Sequence, residues 1–234
     1  MSRCQCAHLL SVCMLLIGAT QMLTAEESSG PPSDSRWQDL FDGESLAGWR
    51  GYRQPEPPTS GWVVTEGLLF SDGSSRTDLM TKKKYRDYEL VVEWRTEADG
   101  NSGILIHADE STPKIAFNAP EIDIYAVGRR DPGIDHQAGA LYALYPAVKS
   151  AIRPPMLWNT TRVVCRGNRL KIWHNAALIC DTVIGSDEWS RRIADSKFRD
   201  SETFGKRSSG HIALQDHGKK VWFRVVRLRS LVKT

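Results

Sequence analysis

Cysteine is scarce in this chain, and what there is clusters at one end. Of five cysteines in 234 residues, Cys4, Cys6 and Cys13 fall within the first 25, leaving Cys165 and Cys180 for the body. No Cys/His pair has the spacing of a zinc site. Long apolar runs are also missing. The one apolar stretch, Leu9 to Leu23, is short and interrupted by Thr20 and Gln21, so no comfortable membrane span is expected. Charge of one sign is missing too. A net +3 gives no case for nucleic acid or an anionic membrane surface as partner. Lys82-Lys83-Lys84 reads as a solvated turn, and no internal repeat is visible.

The first residues have the three parts of a cleaved export signal. Arg3 supplies the positive start, Leu15-Leu16-Ile17 the apolar centre, and Thr24-Ala25 the small residues before a cut after Ala25. Leu10-Ser11-Val12-Cys13 faintly resembles a lipoprotein box, but Val12 is too bulky for one. The expectation is a signal peptide at 1–25 and an exported protein, periplasmic or secreted. A Ser-, Pro- and Glu-rich disordered lead-in follows at 26–36, then one domain over 37–234.

That domain reads as short alternating strands separated by Gly, Asn, Asp and Pro. Candidates are Gly61–Val64, Leu68–Phe70, Tyr88–Arg95, Gly103–Ala108, Glu121–Ala126 and Gly139–Tyr142, then Thr160–Arg166, Leu170–His174, Leu178–Asp181, Gly210–Gln215 and Val221–Leu228. So many strands predict an all-β sandwich or jelly roll of two antiparallel sheets. The one helix candidate, Glu188–Phe198 after Ser186-Asp187, has only partial helical spacing and reads as a surface insertion. Turns at Gly167-Asn168 and Asn175-Ala176 imply a three-strand meander with Cys180 opposite Lys171 and Lys171 opposite Val164. Cys165 and Cys180 would then lie two strands apart on opposite faces, as free buried thiols.

Pro120-Glu121-Ile122-Asp123-Ile124-Tyr125 carries most of the chemical information. In a strand, Glu121, Asp123 and Tyr125 share one face, and Ile122 and Ile124 the other. Acids on a core-side face must be paired, hydrogen-bonded or bound to something. The strands around Trp94, Ile106 and Leu214 likewise alternate apolar residues with polar ones. If they are neighbours, Glu93, Arg95, His107, Glu121, Asp123, Tyr125, Gln215 and His217 pool into one patch.

Six motifs then fall in one order: Leu40-Phe41-Asp42-Gly43-Glu44-Ser45-Leu46-Ala47-Gly48-Trp49-Arg50, Thr81 through Arg95, Asn101-Ser102-Gly103-Ile104, Gly139-Ala140-Leu141-Tyr142, Trp158-Asn159-Thr160, and Gly210 through Gly218. In that order the chain resembles the 3-keto-disaccharide hydrolase family, which has the concanavalin-like jelly roll of lectins and glucanases. Two places depart from the family pattern. Asn175-Ala176-Ala177 stands where an Asn-Gly turn is usual, and His107 stands where many relatives carry Arg.

The resemblance implies cleavage of glycosides already oxidised at carbon 3. The ketone acidifies the proton on carbon 2. A base removes it, and the glycosidic oxygen leaves from carbon 1. His107 and His217 are candidate base or metal ligand, and Glu93, Glu121 and Asp123 candidate acid or ligand. Arg95, Asn101, Tyr125 and Gln215 would hold sugar hydroxyls, with Asp123 among them if it is not a ligand. The resemblance further implies a divalent metal ion, held by His107, Glu121 and Asp123, that would stabilise the oxyanion. The bland readings stand beside these. Glu93 with Arg95 is equally an ion pair on a solvated face, Asn101-Ser102-Gly103 a turn, and His174 and His211 satisfied residues. Asp216 is an alternative to His217.

Two other functions compete. Retaining β-glucanases of this fold carry Glu-x-Asp-x-(x)-Glu, and Glu121-Ile122-Asp123 matches the first half. Tyr125 and Ala126 stand where the second glutamate belongs, which removes one of the two carboxyls that direct hydrolysis needs. A non-catalytic carbohydrate-binding module would use exposed tryptophans. Trp49, Trp62 and Trp94 read as core, leaving Trp158, Trp173 and Trp189 freer. Clustered His and acids favour catalysis over mere binding. The partner expected is a small carbohydrate, and the oligomeric state is unreadable.

Overall fold

A computed structural model describes residues 37–126, 138–147 and 151–231. The leader at 1–25 and lead-in at 26–36 lie outside the described residues. Thirteen strands are present among them: β1 (Gln38–Asp39), β2 (Trp49–Gly51), β3 (Trp62–Thr65), β4 (Leu68–Ser71), β5 (Leu79–Thr81), β6 (Tyr88–Thr96), β7 (Asn101–Ala108), β8 (Glu121–Tyr125), β9 (Asn159–Arg166), β10 (Arg169–His174), β11 (Ala177–Val183), β12 (His211–Leu214) and β13 (Val221–Ser230). One α-helix, α1 (Asp187–Ala194), is capped by the Ser186 side chain, which accepts from the Trp189 N–H.

The strands form two antiparallel sheets. The larger runs β11-β10-β9-β6-β13-β4-β3 with β1 beside β13, and the smaller runs β2-β5-β12-β7-β8. This is the expected jelly-roll sandwich with one short surface helix. Alternation decides what lies between the sheets. Leu90, Val92 and Trp94 of β6 meet Ile104 and Ile106 of β7, Ile122 and Ile124 of β8, and Ile212 and Leu214 of β12. Each such side chain contributes about 1.5–3 kcal/mol by leaving water. The expected strand at Gly139–Tyr142 is instead an edge segment that bridges Ile122 through Leu141 alone.

Three local expectations need correction. Cys180 lies opposite Ile172, because a bulge between Ile172 and Trp173 shifts the pairing. Leu170 faces Cys165, so both thiols point into the core rather than to opposite faces; they remain two strands apart and free. The Asn175-Ala176 turn, where the family usually has Asn-Gly, has positive φ at both residues, 45° and 71°. Trp189 is buried and donates from its indole to the Gly205 carbonyl (2.9 Å), so it offers no sugar-stacking face.

The smaller sheet does not simply wet its outer face. Residues 109–119 fold back over half of it. Ile115 and Ala119 pack on Met80 of β5, Leu105 of β7 and Ala213 of β12. Buried Asn118 pins the loop, donating to Tyr52 Oη (3.0 Å) and accepting from the Asp109 N–H (3.2 Å). What stays uncovered is the polar half of the face, around β8.

Candidate active site

The uncovered half is a cavity of about 380 Å³. Six of the nine candidate side chains line it: Glu121, Asp123 and Tyr125 from β8, Asn101 from β7, and Gln215 and His217 after β12. Register places them. Asn101 pairs with Tyr125 and Gly103 with Asp123, while the Gln215 N–H donates to the Gly103 carbonyl (2.9 Å). The Glu121 carboxylate lies across Gly103, where any Cβ would meet its Oε1 at 2.1 Å. Gly103 is therefore the space in which Glu121 sits.

Glu121 and Asp123 are each 6 % exposed, two acids side by side. Burial pushes both carboxyls well up from the usual range, and each feels a neighbouring acid: Asp78 acts on Glu121, and Glu121 on Asp123. The Lys197 ammonium partly offsets the rise on both. Asp78, just ahead of β5, is pushed up to about 7 by its own burial. Among the described residues, Asp123 Oδ2 and Gln215 Oε1 are buried without a hydrogen-bond partner. Buried oxygens of this kind, in residues lining a cavity, can accept hydrogen bonds from a polar ligand.

His217 is exposed at the rim, and the Asn101 amide donates to its Nδ1 (3.2 Å). With Nδ1 accepting, the neutral ring carries its proton on Nε2. Asp216, the alternative to His217, does not line this cavity. Its carboxylate accepts from the N–H groups of Arg76 (3.2 Å) and Gly218 (2.9 Å), and it holds the rim loop in place.

The other three candidates are elsewhere. Glu93 and Arg95 belong to β6, in the opposite sheet, on its outer face. Glu93 pairs with Arg224 (2.6 Å), and Arg95 lies 4.7 Å from the Trp158 ring. The pooled patch fails at this point because β6 is not a neighbour of β7. His107 is turned the wrong way by a bulge: Ala108 and Leu105 of β7 pair with His211 and Ala213 of β12, leaving one extra residue on β7. With φ at 55°, the His107 ring enters the inter-sheet core, edge-on to Tyr88 at 5.9 Å. Burial lowers its pKa to about 4.

The implied metal set of His107, Glu121 and Asp123 therefore does not converge. Among the described residues no three His, Cys, Asp or Glu side chains are grouped to hold a cation. The residues present do not fit the implied ion.

Two further cavity residues went unread in the sequence. Tyr142 sits in the fourth motif, and its N–H donates to the Glu121 carbonyl (2.8 Å). Lys197 follows α1, contacts the Tyr142 hydroxyl and lies 3.8 Å from the centre of its ring. The helix taken for a surface insertion delivers the one ammonium group among the residues lining this cavity.

A jelly roll with a buried acid pair in an open-faced polar cavity has the build of a carbohydrate-active enzyme. Residues 36–229 match the family described as 3-keto-alpha-glucoside-1,2-lyase-like domain, and the chain belongs to that family. It is 27% identical over 225 residues to a 3-keto-disaccharide hydrolase of Bacteroides thetaiotaomicron, covering 82% of this chain and 77% of that protein. A crystal structure of a candidate glycosyl hydrolase from Parabacteroides distasonis superposes with a TM-score of 0.77 at 25% identity, covering 84% of this chain and 94% of that one. A galectin-like protein from Bacillus subtilis shares the fold alone, with a TM-score of 0.53 at 10% identity over 83% of this chain and 94% of that one.

Proposed function

We propose that the protein cleaves the glycosidic bond of 3-keto-glycosides by base-initiated elimination, with hydrolysis as the net result once water adds. The observation that carries this reading is the Glu121–Asp123 pair: two carboxyls, both held toward the protonated form, with no third acid on their strand. Like charges this close share a proton. The ionised member removes the carbon-2 proton. Electrons pass into a carbon-2–carbon-3 enolate, whose oxygen accepts a hydrogen bond from the protonated member. The enolate collapses to a carbon-1–carbon-2 double bond, and the carbon-1–oxygen bond breaks. The leaving oxygen takes up the proton that the pair has gained, while the His217 Nε2–H at the rim hydrogen-bonds it, so the pair returns to its singly protonated state. Water then adds across the double bond to give the free 3-keto sugar.

The relatives' names support carbohydrate cleavage, and the Bacteroides protein's name supports the keto sugar. The leader read at 1–25 supports action outside the cytoplasm, periplasmic or secreted. An intact-mass measurement of the exported protein should place its first residue at Glu26.

Incubation with 3-keto-trehalose and with trehalose, each with and without EDTA, tests the reading. The expected result is release of glucose from the keto sugar only, in both buffers. Turnover of unoxidised trehalose would contradict it. Loss of activity in EDTA, restored by a divalent cation, would return the metal to the mechanism.

A further inference from the structure

A second cavity, about 540 Å³, adjoins the first and shares Ala116, Gln215 and His217 with it. Its size lies within the range of small-ligand sites. Resting on the elimination reading, the shared wall fixes polarity. The oxidised ring occupies the Glu121–Asp123 side, His217 marks the scissile oxygen, and the leaving group extends into the second cavity.

That cavity is basic. Arg53, Arg76 and Lys114 line it, and among the described residues none of the three side chains has a carboxylate partner. Carboxylates nearby hold backbone instead. Glu110 accepts from the Arg53 N–H (2.9 Å) while pairing with Arg50 (2.7 Å), and Asp216 accepts from the Arg76 N–H (3.2 Å). Both arginines are thus anchored at the main chain with their guanidinium groups uncommitted. Tyr52 forms a fixed wall, its hydroxyl donating to the Thr112 carbonyl (2.6 Å). Two acids stand against these three cations in the lining, Asp78 and Asp216; Asp78 accepts from the Asp216 N–H (3.0 Å), and burial pushes its carboxyl toward neutrality. We infer that this cavity is a leaving-group subsite for a sugar bearing an anionic substituent, a carboxylate or a sulfate ester. Planar guanidinium forks suit both oxyanions, and Tyr52 offers a ring face to the sugar.

Two measurements test this. The first compares kcat/KM for 3-keto-glucosides whose leaving sugar is glucose, glucuronate or glucose 6-sulfate. The anionic substrates should be preferred about tenfold at low salt, and less in 0.5 M NaCl, since exposed charge pairs are modest and screened. In Arg53→Gln/Arg76→Gln the ratio should fall to near one; Lys114→Gln alone should lower it partly. Whichever of the two anionic substrates shows the larger ratio identifies the substituent. Equal rates for neutral and anionic substrates in the wild type, or an unchanged ratio in the double variant, would overturn the proposal. The second is independent of turnover: calorimetric titration of free glucuronate, glucose 6-sulfate and glucose. Anion-selective binding that the double variant loses supports the subsite even if no keto substrate is cleaved. Absence of selective binding counts against it whatever the reaction proves to be.

Discussion

Glu121 and Asp123 face opposing demands. Burial raises their proton affinity, and the proposed elimination needs one of them ionised. The rate should therefore rise with pH along a limb lying well above the ordinary carboxylate range, as the first proton leaves the pair. It should fall again when the second proton leaves. Glu121→Gln and Asp123→Asn should each lower kcat by about 10²–10⁴ without loss of fold. Stability carries the same signature. A carboxyl whose pKa is raised by folding stabilises fully below its unfolded value, and that contribution is lost as pH rises through the folded one. For Asp78 the window runs from 3.8 to about 7. His107 and His174 work in reverse. Burial lowers both to about 4, so their contribution is present above 6.5 and lost as pH falls through 4. Thermal melts of Glu121→Gln should therefore fall less than wild type between pH 5 and 8. The His107 ring has no reacting partner near it, so His107→Asn, which tolerates the positive φ, should keep kcat within a few-fold. A thousandfold loss there would return His107 to the mechanism. The shared face of Glu121, Asp123 and Tyr125 was legible because a strand period of two needs no tertiary knowledge. The direction of His107 was not, because one extra residue in β7 reverses a side chain that strict alternation sends to the solvent face.

At the scale of elements, the site depends on how two loops treat one sheet face. Residues 109–119 seal its apolar half through Ile115 and Ala119, and the segment after α1 borders the uncovered polar half with Lys197. Ile115→Ala should cost about 2–5 kcal/mol if the whole fold feels it. Because Ile115 packs on a small separate cluster, amide exchange should show the loss as local opening of 109–119, with protection in β6 and β13 unchanged. Gly103→Ala should displace the Glu121 carboxylate and lower kcat at least tenfold, with a melting temperature close to wild type; unchanged activity would show that Glu121 has room to spare. The alternation within β6, β7, β8 and β12 was readable from sequence. Which strands are neighbours was not. The polar face of β6 looks the same as that of β12, yet β6 pairs with β13 and β9 and turns Glu93 and Arg95 to the far side of the molecule. Lys197 was not legible for a related reason: in sequence α1 resembles any amphipathic surface helix, and only the fold sets the residues after it against Tyr142.

At the scale of the whole molecule, the jelly roll was legible from the rhythm of turns and strands, and the family from motifs in a fixed order. The sandwich places the apolar residues of these motifs in the core, and Asn101, Tyr142, Gln215 and His217 from three of them along one cleft formed by the two adjoining cavities. With Cys165 and Cys180 both buried in the core, thiol titration of a native protein beginning at Glu26 should report no rapidly reacting groups, and two after unfolding. The central claim is that the first bond broken is the one between carbon 2 and hydrogen. It is tested most directly by comparing kcat/KM for a 3-keto-glucoside carrying protium or deuterium at carbon 2. A normal primary isotope effect, abolished together with activity in Glu121→Gln/Asp123→Asn, is the predicted result. An isotope effect of unity, with equal turnover of the parent glucoside lacking the ketone, would contradict it.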